Sequence, residues 1–119
     1  MARNMTTPHT EYCSMFGAFN LRHDVELSAF KYSFDAFCEH FHQQGHVHSW
    51  RLWERAFHKG YDSNFPDVRI MLEMCFHNYE ASLISWDLIE EGGEPLKSLH
   101  IHVIEKVVDS IFVLHREVN

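Results

Sequence analysis

No cluster of Lys or Arg occurs anywhere in the 119 residues, and acidic side chains outnumber basic ones to give a formal charge of −7. Nucleic-acid binding depends on basic side chains neutralising phosphates, so this balance excludes nucleic acid as a partner. No apolar run approaches the ~20 residues needed to cross a bilayer, and residues 1–10 contain no apolar segment of the kind a signal peptide carries. A cytoplasmic protein without membrane association is expected. Glycine is scarce: Gly92-Gly93 stands alone and no Ser or Cys sits in a glycine elbow, which sets aside phosphate loops, dinucleotide binding and elbow nucleophiles. The three cysteines, Cys13, Cys38 and Cys75, are an odd number without metal-type spacing. Each falls within an expected strand or helix, so reduced, packed thiols and no structural disulfide are expected.

What the chain does have is apolar side chains, 45% of residues, with 14% aromatic. At this length one core forms, burying roughly two-thirds of the unfolded surface. Residues 1–10, polar with one proline, read as a flexible N-terminal arm, and residues 11–119 as a single domain.

The stretch from Gly45 to Phe57 organises the rest. As a strand it places His48, Trp50, Leu52, Glu54 and Ala56 on one side and Val47, Ser49, Arg51, Trp53, Arg55 and Phe57 on the other. Neither side is simply solvated, so the strand needs helices on one face and a second sheet on the other, which points to a dimer. Residues 11–21 alternate in the same two-sided way. After Asp24, an N-cap candidate, Leu27, Phe30, Phe34, Phe37, Cys38 and Phe41 form one helical stripe that Gly45 stops. The turn-rich segment from His58 to Asp67 joins the second strand to a third over residues 68–76. Asn78 caps a second helix to about Glu90, with Ala81, Leu83, Ile84, Trp86 and Leu88 as its apolar residues. Pro95 opens a further helix with Leu96, Leu99, Val103 and Val107 on its stripe, and Asp109 opens a last strand over residues 110–118.

The order strand, helix, strand, strand, helix pair, strand is the βαββαβ arrangement of a ferredoxin-like α+β domain, a four-stranded antiparallel sheet with helices on one face. The bare face would show Tyr12, Phe16, Trp53, Phe57 and Met71, an apolar patch too large for a monomer. Pairing two sheets face to face resolves it. With Ser49-Trp50-Arg51-Leu52 and with Leu99-His100, Val107, Asp109, Phe112, Leu114 and Arg116, this order resembles the dimeric α/β-barrel superfamily, and within it a small uncharacterised bacterial family. The resemblance extends from Tyr12 to Val118. It implies a sheet-to-sheet homodimer and relatives among antibiotic-biosynthesis-type monooxygenases, haem-degrading monooxygenases, isomerases and stress-responsive proteins. Haem-degrading members use an Asn early in the first strand, a Trp after the third and a His on the second helix. Trp86 and His100 lie in comparable regions, but the first strand begins Tyr12-Cys13-Ser14 and its Asn is Asn20, at the far end. That departure argues against haem, and no cofactor is expected.

Eleven histidines invite a metal, most of all His40-Phe41-His42 and His46-Val47-His48. Gly45 breaks the helix between the two pairs, and no carboxylate or thiol stands at converging spacing, so no native metal site is expected. His100 sits beside the stripe of Leu99 and Val103. It reads either as a core-edge histidine with a satisfied ring or as a general acid or base in a cleft walled by Trp50 and Trp86. Arg51, Arg55, Arg69 and Glu73 read either as register-fixing ion pairs or as a ligand clamp in which Arg51 holds a carboxylate or phenolate near Tyr12, Trp53 and His115. The candidate binding residues are therefore Tyr12, Trp50, Arg51, Trp53, Glu73, Trp86 and His115, with His100 the candidate catalytic group. Two functions are open: a cofactor-independent monooxygenase or isomerase acting on a small aromatic or polyketide-like molecule, and a non-catalytic small-ligand-binding or stress-associated protein.

Overall fold

Ten phenylalanines in so short a chain need a broad apolar surface to cover, and a sheet face supplies it. The structure, a computed structural model, describes residues 11–62 and 64–118; the expected arm over residues 1–10 lies outside the described residues. Strand β1 (Cys13–Leu21) leads to helix α1 (Leu27–Gln43), then to strands β2 (Val47–Glu54) and β3 (Ile70–Phe76). Helices α2 (Tyr79–Glu91) and α3 (Leu96–Ile104) follow, and strand β4 (Val107–Arg116) closes the described order. The four strands pair antiparallel in the order β2-β3-β1-β4, which is the ferredoxin-like α+β fold expected from the sequence.

One face of the sheet meets the helices. Phe19, Leu72, Met74, Phe76 and Val47 from the strands pack with Phe30, Phe34, Phe37, Cys38 and Phe41 of α1 and with Ala81, Leu96 and Val103 of the later helices. Phe30 lies at the centre, its ring 4.9 Å from that of Phe19 and 5.9 Å from that of Phe34. The aromatic stripe read from three- and four-residue spacing is thus the core. Helix α1 begins after Glu26 rather than Asp24, and its end is set by Gly45 at φ +80°, a left-handed conformation that glycine adopts without steric cost. Asn78 caps α2 by accepting the Ala81 N–H at 2.8 Å, and Gly92 ends it at φ +73°.

Three details depart from the alternation and wheel patterns. Between Val47 and Ser49 the β2–β3 register slips by one residue: Val47 pairs with Phe76 and Ser49 with Cys75. The bulge turns Val47 into the core, fully buried, and sends His48 to the opposite face, reversing the sides expected for both. A second slip lies in β4, where Ala18 pairs with Ile111 and Asn20 with Val108. Asp109 sits in that bulge at φ 57°, inside the strand instead of opening it, and Val107 belongs to β4 instead of the α3 stripe. Helix α2 turns Ala81, Ser82 and Ser85 inward and leaves Leu83, Ile84 and Trp86 exposed. The two serines are satisfied by carbonyls one turn back, Ser82 Oγ donating to Tyr79 O at 2.6 Å and Ser85 Oγ to Ala81 O at 2.8 Å.

Strand β4 is an edge strand with Ile111, Phe112, Val113 and Leu114 all exposed, so apolar side chains are uncovered on both of its faces. No helix among the described residues is long and apolar enough to cross a membrane.

Candidate functional site

The sheet face away from the helices is where the sequence placed most of its candidates. Strand alternation puts Ser14, Phe16 and Ala18 of β1 on it, opposite His115, Val113 and Ile111 of β4 on one side and Cys75, Glu73 and Met71 of β3 on the other, and Tyr12, just before β1, joins them through its ring contact with His48. Ser49, Arg51 and Trp53 of β2 reach the same face by regular alternation, and the bulge adds His48. Tyr12, Arg51, Trp53, Glu73 and His115 therefore share one surface. Trp50, Trp86 and His100 do not join them.

This open face has two ends of different character. At the polar end the Tyr12 and His48 rings stand 4.7 Å apart and those of His48 and His77 5.3 Å apart, edge to face. Towards the middle, Glu73 is only 13% exposed; it accepts a hydrogen bond from Ser14 Oγ at 3.0 Å and lies 3.5 Å from the Arg51 guanidinium. Arg51 and Glu73 are direct cross-strand partners, the ion-pair arrangement that fixes register. Arg51 also lies over the Trp53 ring at 5.5 Å, and His115 meets the edge of Phe16 at 5.4 Å.

At the other end the connection between β2 and β3 folds back to frame a depression of about 110 Å³, lined by Ala18, Trp53, Arg55, Phe65, Arg69 and Met71 among others. Arg55 belongs to the frame. It donates to the Pro66 carbonyl at 2.9 Å, lies 3.5 Å from Asp62 and covers the Phe57 and Phe65 rings, each at 5.2 Å. Arg69 is fixed at its backbone, and its guanidinium lies over the Phe57 ring at 5.1 Å. Its N–H donates to Asn20 Oδ1 at 2.9 Å, while Asn20 Nδ2 donates to the Asp67 carbonyl at 2.8 Å. Its side chain is 60% exposed, with Asp67 at 3.9 Å.

The remaining candidates sit in the helical layer or on its edges. Trp50 faces α1, where its Nε1–H donates to Asp35 Oδ1 at 2.9 Å and its ring meets His42 edge-on at 5.8 Å. It borders a shallow groove of about 450 Å³ with Tyr32, Asp35, Ala36 and Glu39, on the outer side of α1. Asp35 there already pairs with Lys31 at 2.6 Å. Trp86 is exposed on α2. His100 lies between α3 and α1, half-buried, with its ring stacked on Phe37 at 5.6 Å and 27°. Burial pushes its pKa below the ordinary histidine value, so the neutral ring is favoured. His100 lines neither depression, and the sheet separates it from Arg51. Burial also raises the Cys13 thiol and raises Cys38 well above its usual range, which keeps both protonated and unreactive. Among the described residues no group of three or more His, Cys, Asp or Glu is placed to hold a metal.

Two groups on the open face escaped the sequence reading: His48 with His77, and the depression built by Ala18, Phe65 and Arg69. A signal for the first existed. Val47 and Trp50 are both apolar but three residues apart, which strict alternation cannot send to one face; an inserted residue can.

The model of a family described as of unknown function (DUF6614) matches residues 11–119. No curated protein matches the chain. Among solved structures, the chain is similar to SnoaB, a cofactor-independent oxygenase from Streptomyces nogalater, at TM-score 0.64 and 10% identity, covering 92% of this chain and 95% of that one. It is similar to a dabb family protein with a ferredoxin-like fold from Mesorhizobium loti at TM-score 0.57 and 12% identity, covering 92% and 99%. It also resembles a dimeric ferredoxin-like protein of unknown function from Thermobifida fusca, at TM-score 0.57 and 5% identity, covering 98% and 100%. These likenesses, all at 12% identity or below, establish the ferredoxin-like fold read from the sequence.

Proposed function

The chain belongs to the family of unknown function DUF6614, and from that premise we propose that it acts as a homodimer that binds a small organic molecule between its open sheet faces. The observation that carries this reading is the content of that face. Tyr12, His48, His77 and His115 lie towards one end, the paired Arg51 and Glu73 towards the middle, and an aromatic-walled depression at the other end. Small-molecule sites combine these features, mostly apolar walls with a few placed polar groups. The exposure of Trp53 and Phe57 on the same face supports closure by a second sheet, and the Thermobifida fusca neighbour is itself described as dimeric.

A catalytic form of this reading draws on His48. The bulge aims its imidazole beside Tyr12 and His77, and imidazoles exchange protons near neutral pH. Proton abstraction from an activated aromatic or polyketide-like molecule is the step such a group performs in a cofactor-independent monooxygenase or isomerase, and the SnoaB neighbour is described as a cofactor-independent oxygenase.

The test is a titration of the isotope-labelled protein with small aromatic acids, phenols and quinones, followed by amide shifts. Shifts at Ser14, Phe16, Glu73 and Met71, with α1 and α3 unmoved, are the expected result. Shifts confined to the helices, or none across the panel, refute the reading. The catalytic form predicts oxygen uptake or isomerisation that His48→Gln abolishes.

A further inference from the structure

We propose that the ligand of the open face is a small aromatic carboxylate, with its ring seated among Ala18, Trp53, Phe65 and Met71 and its carboxylate on the Arg69 guanidinium; this rests on the open face being the binding face. Size sets the ring. A cavity of about 150 Å³ lined by apolar side chains admits benzene, and the depression here is about 110 Å³ and opens to solvent. One ring seats in it with its substituent at the mouth. Ala18 makes the room, because its methyl forms part of the floor and a longer side chain would occupy the space.

Charge sets the substituent. Of the three guanidinium groups on this face, Arg51 is compensated by Glu73 at 3.5 Å. Arg55 is 14% exposed and spends its donors on Pro66 O and Asp62, holding the connection closed. Arg69 is different. In the single chain its guanidinium is 60% exposed, and its carboxylate partner, Asp67 at 3.9 Å, is 87% exposed. A pair of that kind contributes little and yields to a better partner. The planar guanidinium offers two parallel donors that match a carboxylate, and its position 5.1 Å above the Phe57 ring limits its swing. Asn20 fixes the base of the side chain by holding the Arg69 N–H and the Asp67 carbonyl together. Glu54 borders the same depression but pairs with Ile70 and so belongs to the helix-facing side of β2, away from Arg69.

The experiment uses benzoate, benzyl alcohol and acetate as probes against the full chain, read by amide shifts and by the indole shift of Trp53. Benzoate is expected to bind at least tenfold more tightly than either benzyl alcohol or acetate. Arg69→Gln, an exposed substitution, should weaken benzoate at least tenfold and leave benzyl alcohol unchanged. Ala18→Leu should remove both; amide shifts of α1 unchanged from wild type verify that it is folded, and Ala18→Val serves if it is not. Equal binding of benzoate and benzyl alcohol, or benzoate binding unaffected by Arg69→Gln, overturns the carboxylate assignment while leaving the open face as the binding face. Silence of the open-face amides towards benzoate also overturns it. If larger aromatic compounds shift those amides the binding face stands, and if none does both proposals fail.

Discussion

Replacing Trp53 by Glu tests the face-to-face dimer most directly. Trp53 lies on the open face and is 50% exposed in the single chain. A tryptophan presents up to about 250 Å², so apposition of a second sheet covers about 125 Å² of it, worth about 3 kcal/mol at ~25 cal/mol per Å². A two-fold interface contains the residue twice, which doubles the loss to about 6 kcal/mol, or about four powers of ten in the dimer Kd. The introduced carboxylate adds a desolvation cost in the same direction. Sedimentation equilibrium across a range of concentrations measures the shift, with Tyr32→Glu on the outer side of α1 as the control that leaves association unchanged. A folded Trp53→Glu protein that dimerises as tightly as the wild type would refute the assignment of this face as the interface.

Three further outcomes follow from the packing and the charges. Phe30→Ala empties the centre of the aromatic core, where the ring is fully buried between Phe19 and Phe34. It should cost about 3–5 kcal/mol in urea unfolding, a large share of the roughly 6–18 kcal/mol available to a chain of this length; a loss under about 1 kcal/mol contradicts the core assignment. Glu73→Gln removes the charge opposite Arg51 while keeping an acceptor for Ser14. Because Arg51 is 63% exposed, the loss should be about 1 kcal/mol or less and should shrink in high salt; a loss independent of salt speaks against an ion-pair origin. Burial depresses the pKa of His100 in the folded state from the ordinary 6.5. The unfolded chain therefore binds the proton more readily, so this residue's stabilising contribution is complete above pH 6.5 and is lost as pH falls from there through the folded value. NMR titration of the His100 ring should give a midpoint below 6.5, and a midpoint at or above it overturns the burial argument.

The fold was legible because its two periods are clean where burial is one-sided. The α1 stripe from Leu27 to Phe41 and the alternation of Ile70, Leu72, Met74 and Phe76 each specify a face without help from the rest of the chain. Legibility fails where one residue is inserted. A bulge reverses every face before it, so His48, read from the parity of Trp50, came out on the wrong side. Asp109 misled in the same way, since an Asp able to adopt φ 57° reads as a strand opener from sequence and is a kink inside the strand in the structure. On α2 the wheel selected Leu83, Ile84 and Trp86, yet the serines point inward because each hydroxyl is satisfied by its own helix. Local hydrogen bonding makes an inward serine inexpensive.

The candidate site divides along the same line. Tyr12, Arg51, Trp53, Glu73 and His115 came together because they lie on regular stretches of strand, where parity alone assigns a face. His48 owes its place to a bulge, Phe65 to a long connection and the freedom of Arg69 to the clip made by Asn20, all of which depend on chain segments distant in sequence. The departures from regularity thus lie at the two ends of the open face, and the regular pairing of Arg51 with Glu73 lies between them. That distribution fits a sheet whose centre sets register and whose ends meet other molecules, since bulges and connections re-aim side chains that a regular strand would lock in place. It also explains why Arg51, the cation parity made most visible, is neutralised by its cross-strand partner, whereas Arg69, beside the irregular connection, has only the exposed Asp67 at 3.9 Å.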